Sequence, residues 1–111
     1  MLVSFAVSNF RSFAGRQVFS LFASKRLGSE HESHTVPIPD SDQSVLRGGV
    51  IYGANGAGKS NLFAALQYMR RVALGQREES RTTTQVRFQL PDLRDQPSTF
   101  DLHFIAADKL Y

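Results

Sequence analysis

Residues 53–60 read Gly-Ala-Asn-Gly-Ala-Gly-Lys-Ser, and no other stretch restricts so tightly what this chain can fold into. The run satisfies G-x-x-x-x-G-K-[ST], a pattern that works only with a strand before it and a helix after it. Its glycines let the backbone turn successive N–H groups into one concavity and approach an anion with no side chain between. A helix beginning near Lys59 aims its unpaired N–H groups and the positive end of its dipole at the same place. Lys59 adds a mobile ammonium for the outer phosphates, and Ser60 a hydroxyl ligand for a bridging Mg²⁺. With glycine at about 7% of residues, the four fixed positions match by chance in roughly a few chains per thousand of this length. Phosphate binding is therefore the firmest expectation. Its candidate contacts are Gly53, Ala54, Asn55, Gly56, Ala57, Gly58, Lys59, Ser60 and Asn61, with Ser60 also the candidate metal ligand.

The flanks have the required periods. Val45, Leu46, Val50, Ile51 and Tyr52 make a short apolar run bounded by glycines, which predicts a buried parallel strand ending on Gly53. Beyond Lys59, apolar residues at Leu62, Phe63, Leu66, Met69, Val72 and Ala73 recur every three or four positions, which predicts one face of a helix ending near Gly75.

Upstream, Val3, Phe5 and Val7 alternate with Ser4 and Ser8, the pattern of a half-buried strand over Leu2–Phe10. Turn material at Ser12 and Gly15 separates it from a second strand around Val18–Phe22, so the two read as an antiparallel hairpin. Residues 25–44, rich in Ser, Asp, Glu and His with Pro37 and Pro39, read as a surface loop with at most an extended piece around Val36–Ile38. Downstream, residues 85–90 and 98–106 alternate as two short antiparallel strands, and Asp108-Lys109-Leu110-Tyr111 reads as a turn into another. The chain's 111 residues, 41% of them apolar, suffice for one cored domain.

Other classes are disfavoured. Without cysteine there is neither a disulfide scaffold nor a thiolate metal site, which fits a reducing cytosol. Met1–Phe10 has no charged leader with a long apolar run, and no window reaches the roughly 20 apolar residues of a membrane helix; a cytoplasmic location is expected. A net charge of +3 weakly favours anionic partners, yet the basic residues are scattered rather than gathered into a stripe. His31 and His34 lack the spacing and third ligand of a metal site, and His103 reads as a strand-pair or surface histidine.

The variant Gly-Ala-Asn-Gly-Ala-Gly-Lys-Ser, together with Val7-Ser-Asn-Phe-Arg-Ser-Phe13 about forty residues upstream, resembles the ATP-binding-cassette type of ATPase. Within it, the resemblance is to the RecF, structural-maintenance-of-chromosomes (SMC) and overcoming-lysogenization-defect (OLD) group, and most of all to bacterial AAA-type ATP-binding proteins of anti-phage defence systems. The resemblance implies an α/β fold: a P-loop NTPase, the N-terminal lobe of an ABC-type ATPase head with flanking antiparallel strands, spanning residues 1–111 and continuing beyond them. It implies ATP and Mg²⁺ as cofactors, with Arg11 near the nucleotide and Ser12 and Asn9 as lesser candidates. Guanidinium geometry suits such phosphate recognition. It also implies homo-oligomers formed through the heads, and effector-protein or nucleic-acid partners in phage defence or DNA repair.

One departure matters. No apolar strand after Ser60 ends in an acidic pair: Asp92, Asp95, Asp101 and Asp108 sit in polar turns or alternating strands, and Glu78-Glu79 in a charged loop. No Leu-Ser-Gly-Gly signature or switch histidine follows. Hydrolysis needs a group to position or deprotonate water, so these residues alone are expected to bind ATP weakly and not turn it over. The rival from another class is a non-catalytic scaffold contacting DNA or protein through a degenerate loop. A GTPase is disfavoured because no N-K-x-D segment is present.

Overall fold

The computed structural model describes residues 1–26, 29–76, 91–93 and 95–111, without the side chains of Ser29, Glu30, His31 and Pro91. Strand β1 is Leu2–Ser8, β2 Gln17–Ser20, β3 Thr35–Pro37, β4 Ser44–Leu46, β5 Thr99–Ala106 and β6 Lys109–Leu110; helix α1 is Lys59–Ala73, and short 3₁₀ turns cover Ser29–His34 and Pro91–Leu93. One sheet has the order β2-β1-β5-β6 and a second pairs β3 with β4. The architecture is mixed α/β with antiparallel pairing. The expected strand over residues 85–90 and the pair Glu78-Glu79 lie outside the described residues.

The chain divides into two compact units, one of Met1–Phe5, Val18–Val50 and Asp101–Tyr111, the other of Ala6–Gln17 and Ile51–Phe100. The first is almost all β. Val3, Leu21, Ile38 and Val45 form its buried core, with Leu2, Phe19, Leu46 and Ile105 packed against them. β1 was expected to bury one face only, but Ser4 and Ala6 are buried along with Val3, Phe5 and Val7. The reason is the strand's central place between β2 and β5 and the small size of the second-face residues; Ser4 satisfies its hydroxyl against His103 Nδ1 at 2.8 Å, since a buried hydroxyl without a partner is costly. Met1 and Ile105 exchange both backbone hydrogen bonds, the antiparallel pattern. Ala107 and Asp108, at φ 47° and 54°, make the two-residue turn that sets Ala106 opposite Lys109. Positive φ at both central residues is the twist-matched hairpin connection.

The extended piece expected around Val36–Ile38 is strand β3, and what the sequence did not show is its partner: Thr35, Val36 and Pro37 pair antiparallel with Leu46, Val45 and Ser44. β4 is also bonded on its other side, through Leu46 N to Leu21 O and Ala23 N to Ser44 O, so Val45 is fully buried. The expected buried parallel strand through Tyr52 does not form. β4 stops at Leu46, and Val50 and Tyr52 are 89% and 91% exposed. The consecutive glycines Gly48 and Gly49 carry the largest entropic penalty for extended order, and among the described residues no strand pairs with residues 50–52.

The second unit has an aromatic centre. Phe10, which is buried, meets Tyr68 of α1 and Phe100 with ring centroids 5.7 and 5.4 Å apart, and Tyr68 meets Phe100 at 5.4 Å. Tilted and edge-on pairs at this spacing add to simple area burial. α1 packs through Ala65, its one buried residue, with Asn61, Leu62, Tyr68 and Met69 half-buried beside it. The expected stripe holds in part: Leu62, Leu66 and Met69 are half-buried, while Phe63, Val72 and Ala73 are exposed. Tyr68, polar at its tip, supplies the inward aromatic contact that the apolar pattern does not show. The helix ends as predicted, with Gly75 at φ 69° donating to Val72 O and Arg70 and Arg71 in the last turn, where positive charge suits the dipole.

Candidate functional site

The glycine loop and the turn at Asn9–Phe13 meet in the second unit. Gly56 and Gly58 take φ 86° and 87°, a region that L side chains enter only at a steric cost. Gly58 serves as the N-cap of α1 in the left-handed conformation, with no side chain capping the helix and no acidic residue in its first turn. Side-chain oxygens or carboxylates commonly neutralise those first N–H groups; here the helix start keeps its positive end for something else. Lys59 bends back so that Nζ donates to the carbonyls of Gly53 at 2.6 Å and Ala54 at 2.8 Å. Ala57 N donates to Ala54 O at 3.2 Å, which tightens the loop. The ammonium is thereby stationed inside the motif's own span, and Ser60 is exposed at the first turn of α1. Ala54, Asn55 and Ala57 are exposed as well.

The upstream turn is over-determined. Phe10 N donates to Phe13 O and Phe13 N to Phe10 O, at 3.0 and 2.8 Å, leaving Arg11 and Ser12 as a two-residue tip. Asn9 and Arg11 adopt φ 48° and 50°, which costs energy in non-glycine residues and persists only where surroundings enforce it. The enforcement is visible. Asn9 is buried; its Nδ2 donates to the carbonyls of Leu93 at 2.9 Å and Gln96 at 2.7 Å, and Ser98 Oγ donates to its carbonyl. Asn9 therefore staples the turn from behind. Arg11 is exposed, with its guanidinium 5.7 Å from the centroid of Phe10.

The tip touches the loop at two points. Asn61 Nδ2 donates to Ser12 Oγ at 2.7 Å, and the ring of Phe13 lies so close to Gly58 that a Cβ there would sit 3.2 Å from Phe13 Cε1. Gly58 is thus required twice, for its dihedral and for this approach, whereas a Cβ on Gly56 would meet nothing within 4 Å. Sequence reasoning brought Arg11 and Ser12 toward the loop but missed Phe13. Its apolar ring among polar turn residues was the available signal.

Elsewhere, Asp92, Asp95, Asp101 and Asp108 are exposed. His34 is exposed at the end of its 3₁₀ turn, and among the described residues no group of three acidic or histidine side chains could hold a metal ion. No helix among them is long and apolar enough to cross a membrane.

A glycine-rich loop that opens a helix without a capping side chain and holds the Lys59 ammonium within its own span fits a nucleotide-binding domain of the ATPase kind. The comparison with protein families agrees: residues 50–109 match the model described as "AAA domain, putative AbiEii toxin, Type IV TA system", and the chain belongs to this AAA domain family. The matched span opens just before the loop and runs through α1 to β6. No curated protein and no solved structure matches the chain.

Proposed function

We propose that the chain binds ATP with Mg²⁺ at the glycine loop and acts as the Walker A lobe of an ABC-type ATPase head in the manner of the RecF, SMC and OLD group. The observation that carries this reading is the pair of bonds from Lys59 Nζ to Gly53 O and Ala54 O, which stations a cation beside an uncapped helix start. The residues fit the group they would hold. The backbone N–H groups of the loop and helix start, apart from that of Ala57, which donates to Ala54 O, and the Lys59 ammonium suit the phosphates, and the exposed Ser60 hydroxyl suits the metal. Arg11, presented by a turn that abuts Gly58, supplies a second cation. ATP brings the phosphoanhydride; the chain binds it, orients it and neutralises its charge.

Turnover additionally needs a carboxylate to position water, and the described aspartates lie exposed in turns or on β5. The reading therefore assigns turnover to heads brought together with a second copy. The description of the matched family, "AAA domain, putative AbiEii toxin, Type IV TA system", points to a toxin–antitoxin system. That description leans the reading toward defence rather than DNA repair; the cytoplasmic location and an effector-protein or nucleic-acid partner belong to the proposal and rest on the sequence resemblance.

The test is a thermal-denaturation titration with MgATP, run beside a phosphate-release assay. The expected result is a rise in Tm that grows with MgATP, absent in Lys59→Ala, with no release of phosphate by the 111-residue chain. An unchanged Tm at millimolar MgATP, or an equal shift in Lys59→Ala, overturns the reading.

A further inference from the structure

Arg11 is the exposed tip of a turn whose other members are all tied down. Asn9 is held by Leu93, Gln96 and Ser98. Phe10 is buried in the aromatic trio, and Phe13 rests on Gly58. The remaining tie, Asn61 Nδ2 to Ser12 Oγ, joins the turn to the helix that follows the loop. The loop motif placed Asn61, and the family resemblance Ser12, among the candidate nucleotide contacts. In the structure their polar ends face each other.

We propose that Asn61 and Ser12 are positioning residues: their hydrogen bond couples the strained turn that presents Arg11 to the first turn of α1, so that ordering of the turn and binding of phosphate at the loop reinforce each other. The inference rests on the proposed ATP site for the second half of that statement. The first half stands without any ligand. The physical basis is the left-handed backbone at Asn9 and Arg11. Such dihedrals relax unless neighbours hold them, and the Ser12–Asn61 bond acts on the residue next to Arg11. A reciprocal gain follows by linkage, because two sites that bias one element must strengthen each other equally.

The test uses the full 111-residue chain with Ser12→Ala, Asn61→Ala, the double variant and Ser12→Thr, which keeps the hydroxyl. In the nucleotide-free chain, hydrogen exchange at the Phe13 amide is expected to accelerate by about fivefold to tenfold in either alanine variant, the size expected for one hydrogen bond. The double variant should be no faster, and Ser12→Thr should stay near wild type. Unchanged exchange in both single variants overturns the inference. In the calorimetric arm, MgATP affinity should fall by a similar factor in each single variant and no further in the double. Effects that multiply in the double variant would mean two independent nucleotide contacts and overturn the coupling. If the wild type binds no MgATP, the proposed ATP site fails and takes the reciprocal half with it, while the exchange data still decide whether Asn61 orders the turn.

Discussion

The two units follow different rules. In the first, side chains obey the hydrophobic pattern: Val3, Leu21, Ile38 and Val45 close a small core, and its described left-handed residues, Asp40, Ala107 and Asp108, lie in ordinary turns between strands. In the second, left-handed backbone ends α1 at Gly75 and otherwise gathers around one locality, at Asn9 and Arg11 in the upstream turn and at Gly56 and Gly58 in the loop. Natural sequences tend to break local rules where a site requires it. The contrast teaches that the first unit is shaped by burial and the second by what must approach its backbone.

Substitutions can break or sharpen that contrast. The largest effect is expected from Phe5→Ala in the first unit. Phe5 is fully buried, and its truncation should cost about 3–5 kcal/mol of stability, read as a lower midpoint in urea. MgATP affinity of the fraction still folded should be unaltered; a loss of affinity at full folding would mean that the units do not divide the work this way. Gly58→Ala comes next. The new methyl meets Phe13 at 3.2 Å at a φ of 87°, so about 1–2 kcal/mol of stability should be lost from backbone strain alone, together with the seat of the upstream turn. Gly56→Ala has the same strain and open space around it, so it should lose only the strain. Equal losses of MgATP affinity in the two variants would remove Phe13 from the account. The smallest effect has the opposite sign. Asp108→Gly relieves a left-handed residue in the β5–β6 turn and should raise stability by up to about 1 kcal/mol without touching binding.

Much of this was legible in the sequence, and the failures have physical causes. Periods of two and of three to four located β1, β5 and α1, because those segments bury side chains against neighbours near in space and regular in pattern. The glycine loop was legible because its chemistry tolerates few substitutions. Val50–Tyr52 misled the reading. An apolar run looks like a buried strand whether or not a partner strand lies beside it, and pairing is not local information. The β3–β4 ladder was missed for the same reason. Three-residue strands carry too little pattern to stand out, and Pro37, which cannot donate to a ladder, reads as a breaker when it can also end an edge strand. The helix face was legible at Leu62, Leu66 and Met69, but hydrophobicity alone also counted the exposed Phe63 and Val72 and gave no weight to Tyr68, which fills the space beside Phe10. In the site, the identity of the loop was plain, but the division of labour was not. Asn9 and Asn61 are alike in composition, yet one staples the turn from behind and the other holds it from the helix, a difference that exists only once the chain has folded.

The most direct measurement of the central claim is a calorimetric titration of MgATP into the wild-type chain and into Lys59→Ala. The account predicts saturable binding by the wild type and an affinity about 10- to 100-fold weaker in Lys59→Ala, the size expected for removing a charged donor. Equal affinities in the two proteins, or no binding heat in either, would contradict it.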